Sequence, residues 1–288
     1  MEQISNRDRE ILRSLAKTKL EYVNSLRNEE ILKQWNALGE GRRESPTVRL
    51  LFSNFSRDVV EARLQCEGDL ARSVERALVS SLVGRELFDD DTPLSPTFDL
   101  RWRYRVSPFG MAPKRVRDPK SGGYHIDPVI EDLEEDFEKL QGGSFGVDRE
   151  ETIAFRDLAE DLIGDILPVR MVMGSLGGAI TNPLVHLMGM ENYYLAMYDT
   201  PEALHRVMDM ATSVHERCYD FLEREGLLLP TCGISPLSQE SFAFNHELPT
   251  DSVTSTTQCW GFLESQETTA VCRLDLIFIS NCGTTERL

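Results

Sequence analysis

The chain has 288 residues, 41% hydrophobic and 27% charged, enough apolar material for one large buried core or two smaller ones. Its 31 basic and 48 acidic residues leave a formal net charge of −17, which argues against a nucleic-acid backbone as main partner, because phosphate binding needs a basic face. No apolar run approaches the roughly 18 residues of a membrane span, and the opening residues lack the apolar core of a secretory leader.

A cytoplasmic protein is therefore expected, with its six cysteines, Cys66, Cys218, Cys232, Cys259, Cys272 and Cys282, reduced. None stands in a CxxC or HxC pair, so no metal ligands are assigned.

In chain order, Ile11, Leu12, Leu15, Ala16, Leu20 and Val23 recur at helical spacing. A second helix follows, with Asn28-Glu29-Glu30 at its start, Ile31, Leu32 and Trp35 within it, and Gly39 and Gly41 at its end. Together they form a helical N-terminal arm over 1–45. Thr47 to Phe52 has strand composition, and Asp69 to Leu87 is an apolar-periodic helix. Asp89-Asp90-Asp91 reads as a solvated acidic turn rather than a cation site. Arg101 to Val106 alternates basic and apolar residues, as a half-exposed strand does. Its arginines suit an anion, or pair with the protein's own acidic surface. Pro108 to Gly123 reads as a long surface loop, and Asp127 to Leu140 as a solvated connector. Asp148 with Glu151 starts a helix that ends at Gly164.

The most informative stretch is Asp165 to Ser235. Asp165 to Met173 reads as a buried strand, ended by Gly174-Ser175-Leu176-Gly177-Gly178. Asn182-Pro183 and Thr200-Pro201 each carry a helix-start signal, cap residue then proline. The longer helix stops near Gly226. Its buried stripe runs through Leu204, Val207, Met208, Ala211, Val214, Cys218, Phe221 and Leu222. Leu227 to Cys232 is the next strand. A helical crossover between strands implies parallel pairing, hence α/β architecture with its site at the strand C-terminal ends. Beyond it, Ser241 to Glu247 reads as a polar, aromatic loop. Cys259 to Glu267 reads either as a pocket wall or as a helix start.

Three segments carry a family likeness: Leu167 to Gly174, Gly189 to Met208, and Cys259 to Thr268. They resemble the uroporphyrinogen decarboxylase superfamily, and the helical N-terminus is similar to a branch associated with methyl transfer from corrinoids. The resemblance implies a (β/α)₈ TIM barrel over 46–268, with sites on the loops after its strands. It implies a corrinoid-linked methyltransferase of an anaerobic methyl-transfer system. The alternatives are the decarboxylase of tetrapyrrole biosynthesis or an inactive or truncated binding protein. Zinc and a corrinoid are the cofactors the family implies. A corrinoid protein or a tetrapyrrole-like small molecule is the implied partner, and a homo-oligomer is open. Asn182 takes the place of the decarboxylase tyrosine, and the His-x-Cys zinc pair of the methyltransferases is absent. The substrate-binding residues expected at the mouth are Asn182, Cys232, His246, Trp260 and Glu264. The segment 269–288 does not resemble the family, and a barrel incomplete at its C-terminal end is expected.

Overall fold

The computed structural model describes residues 4–42, 46–52, 55–117, 124–173, 176–231, 234, 244, 252–259 and 261–264. The chain begins with α1 (Asn6–Val23), α2 (Leu26–Gly39), α3 (Ser56–Val59) and α4 (Asp69–Phe88). There follow β1 (Phe98–Leu100), β2 (Arg103–Ser107), β3 (Lys114–Arg117), β4 (Tyr124–Asp127) and β5 (Ser144–Asp148). Next come α5 (Arg149–Ile163), β6 (Val169–Met171), β7 (Leu176–Ala179), α6 (Thr181–Met188), α7 (Met190–Asp199), α8 (Pro201–Arg224) and β8 (Gly261–Glu264). The architecture is mixed helix and strand. Among the described residues the strands pair two by two, as β1–β6, β2–β5, β3–β4 and β7–β8, and do not close into a barrel.

The chain divides into two compact units. The first comprises Met1–Trp102, Asp148–Met173 and Thr231–Thr250; the second comprises Arg103–Val147, Gly174–Pro230 and Asp251–Leu288.

In the first unit, Ser5 caps α1 by accepting from the Asp8 N–H. Leu12 and Ala16 bury the apolar stripe of α1 in a core with Val74 and Leu78 of α4 and Leu158 and Leu162 of α5. Arg13 forks onto the Asp165 carboxylate at 2.7 and 2.6 Å, and Arg9 reaches Asp161. The cap of α2 is Ser25, three residues before the expected start. Asn28 is buried instead, accepting from the Leu94 N–H and donating to the Leu94 carbonyl.

Thr47 to Phe52 is not a strand. Its Val48 and Leu50 N–H groups donate to the carboxylates of Asp91 and Asp90, so these donors are taken by side chains rather than a β-ladder. This also corrects the reading of the acidic turn. Asp90 is buried, accepting from Leu50, from the Thr92 N–H and from the Thr92 hydroxyl. Asp91 pairs with Arg27 at 2.8 Å. Charges whose oxygens meet donors are spared the cost of burial, so Asp90 and, in part, Asp91 fold inward while Asp89 stays exposed.

The strands β1 and β6 run parallel, Asp99 opposite Arg170. The Val172 N–H reaches the Leu100 carbonyl, and its neighbour Met173 bridges in parallel to Thr231. Successive residues of a parallel strand face opposite sides, so β6 lies between β1 and the Thr231 segment. The expected strand over 165–173 is thus shorter, because Ile166 and Leu167 still bond back to Ile163 at the end of α5. Of the strand expected over 227–232, the described residues 227–231 form only the Thr231 bridge, and Cys232 lies outside the described residues.

In the second unit, two stretches taken for solvated loops supply the core. Phe109, Ile130, Leu133 and Leu140 are buried with Leu184, Tyr193, Leu204, Val207 and Ala211. The expected surface loop also contains β3, paired antiparallel with β4. The alternation in β2 holds, with Arg103 and Arg105 exposed and Tyr104 and Val106 half-buried. Thr200 and Pro201 start α8 as expected.

Candidate functional site

The parallel pair β7–β8 lies in the second unit, where a glycine-rich turn was expected. Its register sets Leu176 opposite Gly261, Gly177 opposite Phe262 and Ala179 opposite Glu264. Glycine weakens a strand interior, so this segment is held as a strand by its backbone ladder with β8. The hydroxyl of Tyr219, on α8, donates to the Gly177 carbonyl at 2.5 Å. A Cβ built on Gly177 would meet open space.

Both strands end together. Helix α6 begins at Thr181, two residues beyond the end of β7, with Ile180 as its cap residue. Asn182 and Pro183 therefore occupy the second and third positions of the helix, not its cap and first position. Thr181, Leu184, Val185, Leu187 and Met188 are buried and fix α6 in the core. Its C-terminal carbonyl at Leu187 accepts from the N–H groups of Val129 and Ile130. The half-buried Asn182 is thus three residues beyond Ala179, at the strand end where Glu264 also falls.

Two of the five expected site residues, Asn182 and Glu264, are therefore brought to one strand C-terminal end. Cys232, His246 and Trp260 lie outside the described residues. The Cys259 to Glu267 segment contains a strand, β8, rather than a helix start. Chemically, Asn182 offers a neutral amide, which orients a polar ligand but does not exchange protons at ordinary pH. The α6 N-terminus adds a partial positive charge at the same end.

The described cysteines are poor ligands for zinc. Burial, with the Glu75 and Asp8 charges beside it, pushes the Cys66 thiol up to about 12. Burial alone pushes Cys218 up to about 11, and burial with Glu223 pushes Cys259 up. A metal takes the thiolate, and burial makes that form costlier to reach at these three positions. Among the described residues no cluster of three His, Cys, Asp or Glu side chains fits a metal ion. The described residues therefore do not fit the zinc that the resemblance implies.

Two features were missed from sequence. Tyr219 stands four residues after His215, at the edge of the buried α8 stripe, and both are buried. That spacing was the available signal. Lys19 is buried too, donating to the Thr97 carbonyl at 3.0 Å where β1 begins. Burial lowers the pKa of this amine, Asp99 partly offsets it, and Arg170 adds to it. Nothing in a lone lysine on a helix marks it in advance.

No helix of the described residues is long and apolar enough to cross a membrane. No protein-family model, no curated protein and no solved structure matches the chain.

Proposed function

We propose that the chain is a uroporphyrinogen-decarboxylase-like protein of the corrinoid-linked methyltransferase branch, built on a (β/α)₈ barrel plan. The segments Leu167 to Gly174, Gly189 to Met208 and Cys259 to Thr268 carry the resemblance. The observation that most supports the reading is the parallel register of β7 and β8, which puts Glu264 level with Ala179 just ahead of Asn182. Open α/β sheets and barrels alike bind ligands at the carboxyl ends of their strands.

The reaction class is transfer of a methyl group from cobalt to a thiol sulfur. A methylated corrinoid, when bound, would supply the methyl group, leaving the electron pair of the carbon–cobalt bond on cobalt as the thiol sulfur takes the methyl and its proton goes to solvent. Asn182 orients the ligand at the strand ends.

The test incubates the full chain with methylcob(III)alamin and a small thiol, with and without added zinc, and follows the corrinoid absorbance. Loss of the cobalt–methyl bond above the protein-free rate, weakened by Asn182→Ala, supports the proposal. Corrinoid binding without turnover in either condition would replace it with the non-catalytic binding-subunit reading. Neither binding nor turnover would remove the corrinoid assignment altogether.

A further inference from the structure

We infer that Arg27 and Arg85 form a binding site for an oxyanion, a carboxylate or phosphate group, which enters by displacing the side chain of Asp89. The site lies wholly within the first unit, where the end of α4 meets the start of α2. It owes nothing to the methyl-transfer reading.

Arg85 stands in the last turn of α4, and its side chain is only 2% exposed. Its Nη1 donates to the Asp90 carbonyl at 3.2 Å. The opposite edge of the guanidinium, Nε with Nη2, is the fork that takes a carboxylate or phosphate by two parallel bonds. Among the described residues the buried Nε has no hydrogen-bond partner. Nη2 faces Oδ1 of Asp89 at 3.6 Å, an ion pair beyond hydrogen-bond length. A buried charged donor without an acceptor is costly, so an oxyanion that fills this fork is favoured.

Arg27 converges on the same point. Its Nε lies 3.6 Å from that same Asp89 oxygen, while its Nη2 is engaged by the Asp91 carboxylate at 2.8 Å and the Asp89 carbonyl at 3.4 Å. One carboxylate oxygen thus stands between two cations, at hydrogen-bond distance from neither.

Asp89 is the member free to leave. Its side chain is 69% exposed, whereas Asp90 is held by Leu50 and Thr92 and Asp91 by Arg27. Swinging it into water gives up a weak, screened ion pair and uncovers the Arg85 fork. The exchange keeps the local charge, since one carboxylate leaves as one monoanion enters, so the acidic run does not forbid it. The negative end of α4 opposes an anion here, and the positive end of α2, at whose second residue Arg27 stands, offsets that field.

The experiment titrates the full chain with inorganic phosphate at constant ionic strength, following phosphorus NMR line width. Asp89→Asn keeps a residue that tolerates the left-handed backbone at φ 46° and removes the internal competitor. It should tighten phosphate binding by about tenfold. Arg27→Gln should weaken it by about tenfold, and so should Arg85→Lys, which keeps the charge but loses the fork. Acetate that competes with phosphate extends the site to carboxylates; acetate that does not assigns it to phosphate groups, and both results uphold it.

Phosphate binding that Asp89→Asn fails to tighten would overturn the inference, because a merely structural turn gives that variant no reason to bind better. Line widths equal in the parent, Asp89→Asn and Arg27→Gln would mark an adventitious ion only. If Arg85→Lys fails to fold, Arg27→Gln decides in its place, since the Arg27 side chain is one-third exposed.

Discussion

At the scale of single residues, buried carboxylates organise the first unit by accepting backbone N–H groups. Asp8 takes those of Glu67 and Gly68, at 3.0 and 3.2 Å, and Glu75 takes those of Gln65 and Cys66. Burial alone would raise the Asp8 pKa, but the Glu67, Gly68 and Ser5 donors outweigh it and hold the group below the ordinary carboxylate value. A depressed folded pKa gives stability that is complete above the unfolded value, about 3.9, and lost as pH falls through the folded one. Asp8→Asn should cost about 1–2 kcal/mol at neutral pH in urea denaturation. It should also flatten the loss of stability below about pH 4 relative to the parent. Equal acid slopes for the two proteins would refute the role given to Asp8. Gly84 allows a test by sign. An exposed helical glycine replaced by alanine gains up to about 1 kcal/mol. Here the new Cβ would stand 2.5 Å from an Asp90 carboxylate oxygen that Leu50 and Thr92 hold in place. Gly84→Ala should therefore lose about 1–3 kcal/mol.

At the scale of elements, Tyr219 ties α8 to β7 by one hydroxyl bond to the Gly177 carbonyl. Tyr219→Phe should cost about 1 kcal/mol and leave α8 intact, with faster exchange confined to β7 and β8 amides as its signature. Helices were the legible part of this chain. In α4, α5 and α8 the apolar spacing and the signals at Asp148 and Thr200-Pro201 act within a few residues of one another, so local sequence carries them. Strands were less legible, for a physical reason. Whether Thr47 to Phe52 enters a ladder depends on Asp90 and Asp91, some forty positions away, and those carboxylates won its donors. The glycine-rich Leu176–Ala179 became a strand because Gly261–Glu264 lies beside it. The acidic connector hid Ile130, Leu133 and Leu140, whose burial is set by α6, α7 and α8 rather than by their charged neighbours. Of the site, only the convergence of Asn182 with Glu264 is seen, and that follows from the parallel β7–β8 register, which the crossover reading of 165–173 with 227–232 did not foresee.

At the scale of the molecule, each unit is assembled from three separate stretches of chain, and each stretch is closed off by chain that belongs to the other unit. The two cores are distinct, one around Leu12, Leu78 and Leu162, the other around Leu184, Tyr193 and Val207. Separate cores suggest separate melting, but the interleaving argues against it. In the second unit, Arg103–Val147 and Gly174–Pro230 are joined through Asp148–Met173, which folds as part of the first. If the first unit unfolds, that stretch becomes a free loop of roughly 26 residues, whose closure costs about 3 kcal/mol by the logarithmic loop law. The same argument runs in reverse for the segments of the first unit. A penalty of that size is a large share of the 5–15 kcal/mol typical of a folded domain, so neither unit should outlast the other by much. A single cooperative transition is the expected result. Leu78→Ala in one core and Val207→Ala in the other should each lower stability, by about 2–5 and 1–3 kcal/mol. Each should move the unfolding of both units together, read as hydrogen exchange of α1 and of α8 amides rising in step. If Leu78→Ala accelerates α1 and leaves α8 at its parent rate, the units unfold independently and the coupling argued from the chain path is wrong.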